Sequence, residues 1–402
     1  MNKHLQTFLF GFFTAVALSA FIYLEHYSIS NKLLNTLLGL SGFALLLYIP
    51  KRAVLFAGFF IGIFWFYWIG YSFKYQGIAY IEPFITLAFG VIYLLFFAPL
   101  ALNTNPLLRA LFLVILSYFE PFDWNWMQLE LVFVESYIGV EKYQFILMLL
   151  ALSLPYFITS SKLKYLPLLL LLGVIDISTQ KPPLAPLKIK LVQTQIKQEE
   201  KWTQQALRPT LDMIYKEIIV AQLKGYDMIV FPESVVPLYL NKHPRLIENF
   251  KQASKTIAIV IGSLLHENNN TYNVTYIFEN GSFVIAKKVV LVPFGEYIPL
   301  PAFMKSWVNE TFFNGGSDFV HADKPTDFTI KGITFRNAIC YEATCNEIYQ
   351  GDIKYIVASS NNAWFAPSIE PTLQNLLLRF YAKKYHVVIY HSANYKGSGV
   401  IR

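Results

Sequence analysis

Charge is what this sequence has least of. Asp, Glu, Lys and Arg make up 15% of its 402 residues, against roughly 25% in an ordinary soluble domain. That excludes a chain lying wholly in water. Cysteine is nearly absent, with Cys340 and Cys345 the two present. Two thiols so close in sequence build no disulfide framework, and no C-x-x-C pair is available for zinc. A local disulfide between them would silence Cys340 as a nucleophile. Also missing is any cluster of basic residues interleaved with exposed aromatics, so the net charge of +7 does not read as nucleic-acid binding. Lys and Arg are spread out, several of them at the ends of apolar runs. No internal repeat or low-complexity tract is evident.

What the sequence has is apolar: 55% of its residues are hydrophobic and 17% aromatic. Apolar runs separated by polar breaks fall at about 5–24, 33–49, 53–73, 82–102, 106–119, 142–159 and 163–177. Most approach the roughly 20 residues that cross a bilayer. They define an N-terminal transmembrane helical domain over 1–180 with about seven spans, the fifth and seventh short enough to be tilted or partly interfacial. The first run reads as an uncleaved signal-anchor, because six more follow it; a cleaved signal peptide is the competing reading. With the N-terminus inside, Lys3, Lys51, Arg52, Arg109, Lys162 and Lys164 lie on the cytoplasmic side, and Lys32, Lys74 and Lys142 outside. The acids Glu120, Asp123, Glu130, Glu135 and Glu141 then fall in an outer loop. Seven spans leave everything after about residue 180 outside, in a periplasm-like space, and an even count would reverse this. Tyr67, Trp68, Trp124 and Trp126 sit near span ends, where interfacial aromatics are expected.

The texture changes at Lys181-Pro-Pro-Leu-Ala-Pro186, which reads as a linker. Beyond it, over 187–402, short strands alternate with amphipathic helices. Strands are expected at Leu187–Ile196, Asp227–Phe231, Ile257–Gly262, Val274–Phe278, Ser282–Lys287, Ile333–Cys340, Tyr355–Ser359 and Val387–Tyr390. Helices are expected at Ala206–Lys224, stopped by Gly225, and at Thr372–Lys384. Glu279-Asn-Gly281 signals a hairpin. The pattern is that of a mixed α/β domain.

Three polar features fall at strand ends or loop edges of this domain: Glu233 after Phe231-Pro232, the pair Lys287-Lys288, and Cys340. A thiol at the carboxyl end of a strand is a candidate nucleophile, and equally a small buried hydrophobe. Acyl transfer through a thiol needs a base and a cation or donor where the oxyanion develops. A Glu, a Lys and a Cys supply these without a metal or an organic cofactor. Only one of Lys287 and Lys288 can face a common site if the strand runs straight. Taken singly, each of the three has a bland reading as a solvated or buried side chain.

Phe231-Pro-Glu233, Lys288 and Cys340-Tyr-Glu342, in that order, resemble the Glu-Lys-Cys triad of the nitrilase, or carbon–nitrogen hydrolase, superfamily. Leu291-Val-Pro-Phe-Gly-Glu-Tyr-Ile-Pro-Leu300, Ala338-Ile-Cys-Tyr-Glu342 and Ser360-Asn-Asn-Ala-Trp-Phe365 resemble the apolipoprotein N-acyltransferase family of bacterial inner membranes. Leu191-Val-Gln193 and Lys201-Trp202 fit the start of that family's periplasmic domain. The resemblance implies a membrane α-helical bundle followed by an α/β nitrilase-like domain, an αββα sandwich. It implies Cys340 as nucleophile, Glu233 as general base and Lys288, rather than Lys287, as stabiliser of the tetrahedral intermediate. Glu296 on an active-site loop, Tyr341 and Glu342 would support them, and Trp202 and Trp364 would line the lipid entrance. The implied partners are a phospholipid acyl donor, a diacylglyceryl apolipoprotein acceptor and the membrane itself, with no nucleic acid, no metal and a monomeric enzyme. The implied reaction passes an acyl chain through a Cys340 thioester to the acceptor's N-terminal amine.

The sequence departs from the family where Ala366 follows Phe365, where Gln374-Asn375 replaces a Gln-His pair, and at Asn362, where Asp is usual. The family also continues beyond Ser392–Ser398 with more strands and an eighth span, so a C-terminally truncated or divergent short form is expected. Two other readings are a membrane-anchored amidase or nitrilase-type hydrolase, and a non-catalytic lipoprotein-binding scaffold. The Pro-Phe-Gly-Glu-Tyr motif weighs against the first, and the intact Glu233, Lys288 and Cys340 against the second.

Overall fold

The structure is a computed structural model that describes residues 2–176, 181–293, 295–298 and 319–402, with Asp123 described by its backbone alone. Phe294, Pro299 and Leu300 of the loop motif lie outside the described residues. The chain divides into two compact units, Met1–Gln180 and Lys181–Arg402.

The first unit is helical: α1 Lys3–His26, α2 Lys32–Tyr48, α3 Lys51–Phe66, α4 Glu82–Ala101, α5 Pro106–Leu116 and α6 Lys142–Ser153. Three helical stretches, Lys3–His26, Lys51–Gln76 and Ala79–Ala101, are long and apolar enough to cross a membrane. The runs expected at about 33–49, 106–119 and 142–159 form shorter apolar helices, and 163–177 contains the 3-10 segment Leu166–Val174. Lipid offers no hydrophobic drive between helices, so close packing needs small residues. Gly58 and Gly62 on α3 provide it. A Cβ at Gly58 would meet the Tyr93 carbonyl oxygen at 2.8 Å, and one at Gly62 the Phe89 carbonyl oxygen at 2.3 Å.

Arg109, placed above on the cytoplasmic side, is buried in α5. Its guanidinium donates to the carbonyls of Leu46, Leu47 and Ile49 at the end of α2, and to those of Leu100 and Asn103. Those carbonyls belong to helix ends that have run out of intrahelical donors. Trp68 and Trp126 are buried, with ring centroids 5.3 Å apart, and not interfacial. The indole of Trp68 donates to the carbonyl of Trp65 at 2.7 Å. Glu130 is likewise buried, ion-paired with Lys142 at 2.7 Å.

Among its described residues the second unit holds ten strands in two five-stranded sheets. The first has the order β1 Ile189–Leu191, β2 Met228–Val230, β3 Ala258–Glu267, β4 Asn270–Glu279, β5 Ser282–Lys287. The second has the order β10 Gly399–Ile401, β9 Val388–Asn394, β8 Tyr355–Asn361, β7 Ile333–Ile339, β6 Asp327–Ile330. In each, three parallel strands carry antiparallel flanks: β1, β2 and β3 in the first, β7, β8 and β9 in the second. The parallel strands are nearly continuous apolar runs, as strands covered on both faces must be. Met228, Val230, Val260 and Ile277 meet Phe328, Phe335, Val357 and Tyr390 between the sheets. Outside the first sheet, α8 Gln204–Leu223 and α9 Pro244–Ala253 pack through Ile214, Ile218 and Phe250. Among the described residues the other helices are the single turn α7 Gln198–Lys201 and α10 Glu370–Tyr385, which follows β8 and precedes β9. This is the αββα arrangement.

Asn280 and Gly281 both take positive φ, as a two-residue hairpin of the expected kind demands. A second such turn, at Asn268-Asn269, joins β3 to β4. The sequence reading had missed it, together with α9, β6 and β10. Gly262 on β3 lets the chain after β2 lie against the sheet: a Cβ there would stand 2.5 Å from the Ser234 amide nitrogen and 2.8 Å from the Glu233 Cα. Gly262→Ala should therefore cost about 1–3 kcal/mol through overpacking, read as a lowered thermal midpoint in detergent. An unchanged midpoint would mean that the Glu233 loop yields freely.

Candidate active site

The carboxyl ends of the parallel strands carry the polar residues, as α/β sheets commonly arrange. Glu233 follows β2, Cys340 follows β7, and Asn362 follows β8. Lys288 follows β5, and its amide donates to the Asn273 carbonyl at 3.0 Å, so the β4–β5 ladder continues to it. Strand alternation then separates the two lysines. Lys287 pairs on the surface with Glu267 at 2.7 Å and lies over the Tyr272 ring. Lys288 is 1% exposed and pairs with Glu296 at 2.6 Å.

Asn273 on β4 ties the acids together. Its Nδ2 donates to Glu233 Oε1 at 2.7 Å and to Glu296 Oε1 at 3.1 Å. The other Glu296 oxygen accepts from the Val292 amide at 2.9 Å, closing its loop upon itself. Burial alone would lower the Lys288 ammonium's pKa. Glu296, and after it Glu233 and Cys340, reverse this and hold it above its ordinary value. Lys288 is thus a fixed cation.

Cys340 sits in the left-handed region, φ 55°, where the strand breaks into the 3-10 turn Cys340–Thr344. A non-glycine residue held there is strained, a condition that collects at functional sites. Cys340 is partly exposed and Cys345 buried, and neither is in a disulfide. Protein around Cys340 desolvates it and pushes its pKa well up; Glu233, Glu370 and Glu296 add to this, and Lys288 opposes it. Gln374 on α10 points its Nε2 at Sγ from 3.9 Å, and Asn362 fixes Gln374 by donating to its Oε1 at 3.0 Å.

Glu342 faces away from the thiol. It accepts from the Ile339 amide at 2.6 Å, and from the Val289 and Val290 amides at 2.6 and 3.2 Å. It clamps the chain after Lys288 to the strand before Cys340. Burial raises its carboxyl to about 7 although Lys288 and those amides favour the anion. Tyr341 is buried beside it, and Trp202 is 46% exposed. Trp364 lies in the 3-10 turn Asn362–Phe365.

Sequence reasoning met Lys201, Asn362 and Gln374 only as motif positions and gave them no role, and it did not name Asn273 or Glu370. Lys201 is 2% exposed and donates to the Glu233 carbonyl at 3.0 Å, with burial lowering its ammonium to about 8 against the pull of Glu233 and Cys340. The signal for Asn273 was present, since a lone amide in mid-strand among Tyr272, Val274 and Tyr276 is a poor core residue unless it is bonded. Among the described residues no group of His, Cys, Asp and Glu could hold a metal ion.

Residues 5–177 match the family model described as the apolipoprotein N-acyltransferase integral membrane domain, and residues 188–396 match carbon–nitrogen hydrolase. The chain is 43% identical over 400 residues to an apolipoprotein N-acyltransferase of Wolinella succinogenes, covering 99% of this chain and 96% of that protein. It is 36% identical to one of Helicobacter pylori, covering 94% and 91%. A carbon–nitrogen hydrolase superfamily protein of Xanthomonas campestris aligns in structure with a TM-score of 0.40 and 13% identity, over 52% of this chain and 76% of that one.

A thiol held above its ordinary range is protonated at rest, and thiolate appears tenfold per pH unit below the pKa. Alkylation of Cys340 in the substrate-free protein, followed by peptide mass spectrometry, should climb about tenfold per unit from roughly pH 6.5 to 8.5. A plateau in that range would reveal a preformed thiolate and contradict the desolvated site.

Proposed function

The chain belongs to the apolipoprotein N-acyltransferase family, and from that premise we propose that it N-acylates lipoproteins through an acyl-thioester on Cys340. The acyl donor is a membrane phospholipid, and the acceptor is the N-terminal amine of a diacylglyceryl-cysteine. In the first half-reaction the Cys340 thiol gives its proton to Glu233 as sulfur attacks the ester carbonyl. Lys288 faces the developing oxyanion, where a preorganised cation in a dry site acts most strongly. Glu233 then protonates the leaving alkoxide, and lysophospholipid departs. In the second half-reaction the amine attacks the thioester. Glu233 takes the proton from nitrogen and returns it to sulfur as the carbon–sulfur bond breaks, leaving the amide and the free thiol.

The observation that carries this reading is the convergence of Glu233, Lys288 and Cys340, each electrostatically felt by the thiol, on the carboxyl side of two sheets. Glu296 holds Lys288, Glu342 and Tyr341 brace the turn, and Trp202 and Trp364 stand at the lipid entrance. Both substrates are anchored by acyl chains, which is why such a site comes with a membrane domain. We place the protein in the bacterial inner membrane as a monomer with the catalytic unit on the periplasmic side, from the distribution of Lys and Arg.

Ping-pong transfer predicts a trapped intermediate. Incubated with phospholipid alone, the protein should gain one acyl mass on the Cys340 peptide, labile to hydroxylamine. Cys340→Ala should gain none and lose transfer by a factor of about a thousand or more. Adding a diacylated lipopeptide should discharge the thioester into triacylated peptide. Free fatty acid without acylated peptide would instead establish the hydrolase.

A further inference from the structure

Glu370 is a buried acid that the proposed reaction leaves unused. It opens α10, is 1% exposed, and its Oε2 meets no hydrogen-bond partner among the described residues. One helical turn later on the same face stands Gln374, the residue whose amide reaches the Cys340 sulfur at 3.9 Å. Asn362, also 1% exposed, bonds Gln374 through Nδ2 and keeps a buried Oδ1 without a partner. Burial, reinforced by Glu233, holds the Glu370 carboxyl well above the usual carboxylate range. An acid in the first turn of a helix ordinarily serves the helix dipole, and does so as an anion. This one is placed where the anion is disfavoured.

Two buried oxygens without donors beside a nucleophile call for a ligand that brings N–H groups. The ester donor brings oxygens. The acceptor brings an amine. We propose that Glu370 and Asn362 form the acceptor subsite, in which Glu370 Oε2 and Asn362 Oδ1 take the N–H groups of a neutral primary amine and leave its lone pair facing the thioester. The inference rests on the proposed function. The acceptor reaches the membrane surface as an ammonium and gives one proton to solvent on entry, because a carboxyl whose anion is disfavoured and a carboxamide leave an ammonium's charge uncompensated. The lone pair then forms the carbon–nitrogen bond. Glu233 moves the second proton from nitrogen to sulfur.

The test separates the two half-reactions in the full-length protein in detergent. Glu370→Gln keeps an oxygen acceptor and should transfer to lipopeptide within about threefold of the parent, whereas Glu370→Leu should transfer at least about tenfold more slowly, the scale of one lost hydrogen bond. The leucine variant should show a raised lipopeptide KM, with thioester loading reduced far less than transfer. Glu370→Ala replaces it should leucine prevent folding. Three results overturn the subsite: an apolar variant that transfers normally, a glutamine variant as slow as the apolar one, or loading that falls as far as transfer. A parent protein that loads no thioester overturns the function on which the subsite rests, which is a different result from these three.

Discussion

A lysine ammonium buried to 1% exposure must be neutralised where it stands, and much of the catalytic unit is arranged around that requirement at Lys288. Its counter-charges come from two places: Glu296 on the loop that follows it, and Glu233 after β2. Asn273 donates to both acids, and the Asn273 carbonyl accepts from Lys288's own amide. The cluster therefore holds only if β2, β3, β4 and β5 keep their register. A one-residue slip would turn Lys287 inward, where its Glu267 partner could not follow. The geometry proposed for catalysis is in this sense inherited from a sheet ladder, with no separate device needed to aim the lysine.

The other sheet contributes Cys340, the proposed nucleophile, so the distance between the sheets matters as much as the register within each. The inter-sheet core of Val230, Val260, Phe335 and Val357 sets it. Glu342 adds a direct strap, binding amides on both sides of the gap between the chain after Lys288 and the strand before Cys340. Its motif position beside the cysteine implied a supporting role. The contacts describe a positioning group, whose loss would loosen the relation between lysine and thiol while leaving the chemistry of each intact.

Much of this was legible in the sequence. Seven of the eight expected strands overlap an observed strand closely, because buried parallel strands announce themselves as short apolar runs; Leu187–Ile196 shrank to three residues as β1. The Glu, Lys and Cys were found because each ends an element. Residues in mid-element were passed over or met only as motif positions: Asn273 inside β4, Gln374 inside α10, and Lys201 in a helix of one turn. Their function lies in a hydrogen bond to a residue far away in sequence, which no local pattern encodes. The helical unit misled in a different way. Trp68 and Arg109 carry polar atoms, and the proximity of Trp68 to a span end suggested the membrane surface. Inside a bundle the same atoms are satisfied by carbonyls at helix termini, and burial becomes affordable.

The titratable groups around Cys340 also bear on why a thioester would wait for an amine when water is more abundant. Lys201, Glu233, Lys288, Glu342 and Glu370 are all at most 8% exposed. In such surroundings few groups are open to recruit and orient an attacking water. Glu233 is held by Asn273, and its backbone carbonyl by Lys201. Burial disfavours the Glu370 anion. In the proposed function the amine has two advantages over water: it is the stronger nucleophile toward a thioester, and it is tethered by acyl chains beside the site. Selectivity for transfer over hydrolysis would then follow from desolvation of the site together with that tether.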